Sequence, residues 1–214
     1  MASKSCVIID YGIGNVFSVS QALAHLDASV TLTSDPAAIR AADRVILPGV
    51  GAFGRAVDTL RAIHMDEVIF DFINTGRPFL GICVGMQVMM EHGLEFGTHQ
   101  GLGLFKGTVE QIDLKDSDNK PLRVPLIGWN SVRQTAPGRW QDTPFATVSE
   151  GSDFYFVHSY AAKVTDPLDV AAIAHAGAGV ITAAVQRDNI TGVQFHPERS
   201  ADAGRAFLSG FLAQ

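Results

Sequence analysis

Two short segments carry residue types arranged for acyl chemistry. The first is Gly81-Ile82-Cys83-Val84-Gly85, a cysteine with a glycine two residues to either side. It follows the apolar run Phe79-Leu80 and leads into a predicted helix from Val84 to Glu91, so Cys83 falls where a buried strand turns into a helix. A strained strand-to-helix turn leaves no room for side chains around a nucleophile, and the flanking glycines supply that space. At a helix N-terminus the aligned peptide dipoles favour thiolate. The amide of Val84 would point at an oxyanion forming beside the sulfur. The plainer alternative is a buried cysteine that ends a core strand. The second segment is Phe195-His196-Pro197-Glu198. A residue before proline is pushed toward an extended conformation, so His196 should end a strand. In an extended chain positions two apart face the same way, which would set Glu198 beside the His196 ring. A carboxylate there fixes the imidazole tautomer and stabilises imidazolium, the third role in a Cys-His-acid triad. Alone, His-Pro-Glu reads as a polar strand end and a solvated turn; its pairing with the cysteine elbow favours the triad.

Other chemistries find less support. His25, His64, His92 and His99 fall on predicted helix faces or loops, and none has zinc-ligand spacing to a cysteine or acid. No metal site is expected. A Gly-x-Ser-x-Gly elbow is missing from the sequence, which removes a serine hydrolase of that type. Gly49-Val50-Gly51-Ala52-Phe53-Gly54 matches the dinucleotide pattern, but it follows the third predicted strand, and the next strand ends at Cys83 instead of an acid for a ribose. It reads better as a tight strand-to-helix turn, and no cofactor is expected.

The elements that must position these residues alternate through the first half. Cys6 to Ile9, Val30 to Thr33, Val45 to Leu47 and Phe79 to Ile82 read as strands. Between them Val16, Val19, Leu23 and Leu26 keep helical spacing, Ser34-Asp35-Pro36 starts a second helix, and Val57 to Ile63 and Val68 to Ile73 give two more. This alternation predicts βαβ units, an α/β fold with a mostly parallel open sheet and helices on both faces. From Gly93 to Pro144 glycine, proline and polar turns such as Asp116-Ser117-Asp118-Asn119 are dense. Strands are predicted at Thr108 to Leu114, Phe154 to Val157, Val170 to Ala174, Val180 to Val185 and Gly192 to Phe195, as antiparallel additions to the sheet. A last helix runs from Ala203 to Leu212. No linker or repeat divides the chain, so residues 1–214 are expected to form one domain.

Composition narrows the partners. With 47% hydrophobic and 18% charged residues, the chain can build a sizeable core. A net charge of -6 repels phosphate backbones, so no nucleic-acid partner is expected. Cys6 and Cys83 cannot form a disulfide framework and fit a reducing compartment. Cys6 to Ile9 is too short for a signal core, and His175, Gly177 and Gly179 interrupt the apolar stretch Val170 to Val185. A soluble cytoplasmic chain that does not enter a membrane is expected.

Taken together, Gly81 to Gln87 and His196-Pro197-Glu198 resemble the class I, triad-type glutamine amidotransferases. Pro48 to Phe53, Ile127 to Asn130 and Tyr155 to Tyr160 are similar to segments of the glutaminase subunits of imidazole glycerol phosphate synthases. The resemblance runs from Asp10-Tyr11-Gly12-Ile13-Gly14-Asn15 to the final helix. It implies a flavodoxin-like three-layer fold and hydrolysis of glutamine to glutamate and ammonia by Cys83, His196 and Glu198. It also implies an oxyanion hole at Val50 and Val84, and glutamine contacts at Gly51, Gln87, Glu95, Ser159 and Tyr160. The implied partner is a (β/α)8-barrel cyclase subunit, met through Trp129, Asn130, Tyr155 and Arg199. That cyclase would use the ammonia to make imidazole glycerol phosphate and aminoimidazole carboxamide ribotide in histidine biosynthesis. Relatives commonly have His where this chain has Leu126 and Lys where it has Arg199, and a planar guanidinium is not equivalent to an ammonium at a gate. Alternatives are a glutaminase serving another synthase, such as the pyridoxal phosphate one, and a non-catalytic binding module. Trp129 in its predicted glycine-rich turn is either an exposed anchor or a core residue. Because Gly49 lets the Gly49-Val50 peptide rotate, the isolated chain is expected to hydrolyse glutamine poorly until its partner turns the Val50 amide inward.

Overall fold

A computed structural model describes residues 5–116 and 118–214. Ser117, inside the predicted polar turn, lies outside the described residues. Strand β1 (Ser5–Ile9), β2 (Ser29–Thr33), β3 (Arg44–Gly49) and β4 (Phe79–Cys83) are parallel to their neighbours. They alternate with helices α1 (Val16–Ala24), α2 (Pro36–Ala41), α3 (Phe53–Ala62) and α4 (Met65–Ile73). Every residue of β3 and β4 is buried, which requires both faces of this part of the sheet to be covered. Local signals explain the starts. Asp35 accepts from the Ala37 amide at 3.0 Å with Pro36 at the first helical position, and Asn15 accepts from the Ser18 amide at 3.4 Å.

After β4 comes a single helical turn, α5 (Val84–Gln87), and then β5 (Met90–Gly93), where sequence periodicity predicted one helix to Glu91. Residues 84–90 are all buried, so no polar face exists to carry a helical period, and the chain breaks into a strand instead. Strand β6 (His99–Gln100), β7 (Phe105–Gln111), β8 (Leu126–Gln134), β9 (Asp153–His158), β10 (Tyr160–Val164), β11 (Val170–Ala176), β12 (Gly179–Arg187) and β13 (Ile190–Val193) follow, and α6 (Ala201–Ala213) closes the chain. The large sheet has the order β2-β1-β3-β4-β13-β12-β11-β8-β9. Its first five strands are parallel and the rest antiparallel, so β13 joins β4 in parallel and is no antiparallel addition. Four strands, β10-β7-β5-β6, form a separate smaller sheet that sequence reasoning had folded into the large one. Gly128, Trp129 and Asn130 belong to β8, with Gly128 at φ 144, and not to a turn. His92 and His99 are half-buried on β5 and β6, where helix faces or loops were expected. No helix among the described residues is long and apolar enough to cross a membrane.

A packed aromatic group sits behind the C-terminal end of β13. Phe195 is fully buried, with ring centroids 4.1 Å from Phe154, 5.8 Å from Phe156, 6.2 Å from Phe145 and 5.7 Å from Phe207. The last three are edge-to-face, and such contacts add about 0.5–1.5 kcal/mol each beyond the area they bury. They hold the backbone on which the next residue, His196, is carried.

Candidate active site

Cys83 ends β4 and caps α5 with φ 55 and ψ -113. A non-glycine residue in that region costs about 1–3 kcal/mol and persists only where its surroundings hold it. The surrounding glycines do this by allowing close backbone contact. A Cβ on Gly85 would lie 1.9 Å from the Leu47 carbonyl oxygen, one on Gly81 2.8 Å from the Gly85 carbonyl carbon and oxygen, and one on Gly49 2.6 Å from the Gly85 amide nitrogen. Each strand end is therefore pressed against the elbow. Gly49 itself pairs with Cys83 across the ladder, so close approach already requires glycine there, apart from any rotation of its peptide.

His196 is extended at φ -103, ψ 96, two residues beyond Gln194, and starts a 3-10 turn over Pro197–Arg199. Its Nδ1 lies 2.8 Å from Glu198 Oε1, and the Glu198 side chain is 1% exposed. The two side chains meet because the chain turns after proline, and not because it stays extended as the residue spacing suggested. Three hydrogen bonds lock this turn: the His196 amide donates to the Tyr155 carbonyl at 2.9 Å, and the Ser200 hydroxyl donates to the His196 carbonyl at 2.5 Å. The same hydroxyl accepts from the Tyr155 amide at 3.0 Å. The second Glu198 oxygen is buried with no hydrogen-bond partner among the described residues. Burial alone would lower the His196 pKa, but the neighbouring Cys83 and the Glu198 carboxylate outweigh it and push it up to about 10.

These groups open into a cavity of about 540 Å³ whose lining includes Cys83, His196, Val50, Gly51, Val84 and Gln87, together with Glu95, Ser159, Tyr160 and Arg199. Gly51 has φ 86 and a Cβ there would meet nothing, so glycine serves the turn from β3 toward α3. Glu95 Oε2 accepts from the Phe53 amide at 2.8 Å, capping α3 from across the mouth of the cavity. Trp129 and Asn130 lie apart from it on β8. Trp129 is 53% exposed, which settles its place on the surface, and its ring packs edge-on against Tyr155, centroids 5.9 Å apart. The Arg199 guanidinium carbon stands 4.3 Å from the Tyr155 ring centroid.

Sequence reasoning missed four residues here. Asn15 and His158 line the cavity. Tyr11 is buried and donates to the Pro48 carbonyl at 3.0 Å; burial and the neighbouring Cys83 raise its pKa. Gln194 is fully buried with Nε2 3.7 Å from Cys83 Sγ. Only Gln194, two residues before His196, could have been picked out from spacing.

Comparison with known proteins places the chain in a family. Residues 7–214 match the family described as glutamine amidotransferase class-I. An imidazole glycerol phosphate synthase subunit HisH 1 of Legionella pneumophila (strain Lens) is 41% identical, covering 98% of this chain and 99% of that protein. A HisH subunit from Herpetosiphon aurantiacus is 43% identical over 96% of this chain and 92% of its own length. Among solved structures, PurLQS from Thermotoga maritima superposes with a TM-score of 0.72 at 20% identity, covering 100% of this chain and 99% of the matched one, which shows the shared fold. By sequence over nearly its whole length, this chain belongs to the class-I glutamine amidotransferases, among the HisH subunits of imidazole glycerol phosphate synthase.

Proposed function

We propose that the cavity hydrolyses glutamine through a glutamyl thioester on Cys83. The observation that carries this reading is the buried Nδ1 to Oε1 contact of 2.8 Å between His196 and Glu198, with the strained Cys83 in the same cavity. Cys83 thiolate attacks the side-chain amide carbon, and the resulting oxyanion is held by the amides of Val84 and Val50. His196 gives its proton to the departing nitrogen, the C–N bond breaks, and ammonia leaves. Water then attacks the thioester, its proton passes to His196, the C–S bond breaks, and glutamate departs from the regenerated thiolate. Glu198 keeps the imidazole oriented and balances its charge. Gly51, Gln87, Glu95, Ser159 and Tyr160 contact glutamine. Glu95 retains one oxygen beyond the one that caps α3, suited to the substrate ammonium.

Ammonia passes to a (β/α)8-barrel cyclase with which the chain forms a heterodimer. The face for that partner is the β8–β9 edge, where Ile127 is 60% and Trp129 53% exposed, with Asn130, Tyr155 and Arg199 beside them. A single folded unit of residues 1–214 in the cytoplasm fits this role. Cys83→Ala should abolish glutamine-dependent product while the assembled synthase still works with added ammonium. Retention of more than a trace of glutamine hydrolysis would refute the nucleophile. Comparing kcat of the isolated chain, the complex and the complex with nucleotide tests whether the Val50 amide must be turned inward. A missing oxyanion donor costs about 10²–10³ in kcat, and equal rates in all three would mean a hole that is complete from the start.

A further inference from the structure

Strand β13 runs parallel to β4 with Val193 opposite Ile82, so the next residue on each strand meets the other: Gln194 lies beside Cys83. Gln194 Nε2 is 3.7 Å from the sulfur, and its Oε1 receives Gln87 Nε2 at 2.9 Å. The same Gln87 nitrogen donates to the Tyr160 carbonyl at 2.9 Å. That arrangement sets both amides. A backbone carbonyl only accepts, so Tyr160 determines which end of Gln87 carries the NH2 group. The second N–H of Gln87 then requires an oxygen from Gln194, which leaves the Gln194 NH2 facing sulfur. The sulfur thus faces a neutral, buried donor that cannot lose its proton, in the same cavity as His196.

We propose that Gln194 acts in the proposed glutaminase reaction as a hydrogen-bond donor to Cys83 sulfur, serving chiefly the hydrolysis of the glutamyl thioester. This inference rests on the Cys83 thioester reading. In the thioester the sulfur is neutral and accepts weakly. As water attacks the carbonyl carbon and gives its proton to His196, the C–S bond breaks and its electron pair returns to sulfur as thiolate. The N–H···S bond strengthens while that charge develops, so it lowers the barrier to this step. In the first half-reaction the thiolate is consumed and the same bond weakens, so Gln194 gives acylation no help.

The test is steady-state glutaminase kinetics of the full chain assembled with its barrel partner, with acid-quenched intact mass of the chain. Gln194→Met keeps the volume and removes the donor; Gln194→Glu also keeps an acceptor for Gln87 and sets a carboxylate against the leaving thiolate. Loss of a hydrogen bond to a charged group supports a fall in kcat of about tenfold for Met, with a larger fall for Glu. KM should fall at least as much as kcat, so that kcat/KM holds or rises, and glutamyl-enzyme should accumulate on Cys83. A purely structural role would lower kcat and kcat/KM together without accumulation, and that result, or an unchanged kcat, overturns the proposal. Should Gln194→Met unfold, the isosteric Glu variant decides by the same split. Cys83→Ala separates the two levels of argument. Glutamine hydrolysis by that variant would overturn the thioester reading itself. An inactive Cys83→Ala beside unaltered Gln194 variants would overturn only the role of Gln194.

Discussion

His158 ends β9 with its ring 6% exposed and 5.7 Å from the Phe156 ring centroid. Its Nδ1 donates to the Tyr160 carbonyl at 2.8 Å, which assigns the other nitrogen as the bare one, and that Nε2 is buried without a partner among the described residues. Burial pushes its pKa down to about 4 against a usual 6.5; the Tyr160 bond opposes this and the charged His196 adds to it. The unfolded chain therefore takes a proton near pH 6.5 and the folded chain only near pH 4. Between those values the unfolded state binds more protons, so the His158 contribution is complete above pH 6.5 and is lost as pH falls to about 4. At 1.36 kcal/mol per pH unit this amounts to about 3 kcal/mol. His158→Gln is neutral throughout and lacks this term. Urea unfolding of both proteins at pH 7, 6, 5 and 4 should show the wild type losing about 3 kcal/mol more than the variant across the range. Parallel stability curves would refute the argument, because they would mean that His158 titrates alike in the folded and unfolded chains.

Gly85→Ala should destabilise the chain by about 3 kcal/mol or more, since its Cβ would lie 1.9 Å from a backbone oxygen of β3. Gly51→Ala meets no atom and should cost only the left-handed strain of φ 86, about 1–2 kcal/mol; thermal unfolding of the two variants gives the comparison. Trp129→Ala should weaken association with the barrel subunit by about 2 kcal/mol in titration calorimetry, with the unfolding of the isolated chain unchanged. Loss of the monomer's cooperative transition would contradict its exposed position.

The parallel half of the fold was legible because its strands are short, mostly apolar and punctuated, as in Val45-Ile46-Leu47 before Pro48-Gly49. The elbow was legible from glycine spacing, although the reason lies in contact between β3 and α5 more than in the turn alone. The break after Gln87 was not legible. Met89-Met90-Glu91-His92-Gly93 holds no β-branched residue, and its strand character comes from pairing with β6 and β7 and not from its own residue types. Trp129 was misplaced in a turn because Gly128 is read locally as punctuation, while its opposite strand residue, Phe156, lies 28 positions away. His196 and Glu198 were matched correctly for the wrong geometrical reason. Asn15, Tyr11 and His158 enter the site through tertiary contacts that no local pattern encodes.

Ser159 alone separates β9 from β10, and those strands belong to different sheets. It is a one-residue joint. On one side, Tyr155 shares the exposed edge with Trp129 and Arg199; on the other, the carbonyl of Tyr160 orients Gln87 and His158. Five residue steps, about 17 Å of extended chain, separate Tyr155 from Tyr160. β9 is paired to β8 in the large sheet and β10 to β7 in the small one, so a single residue joins the frame of the outer edge to the frame that sets the Gln87 amide. The outer face and the cavity are thus neighbours along the chain as well as in space.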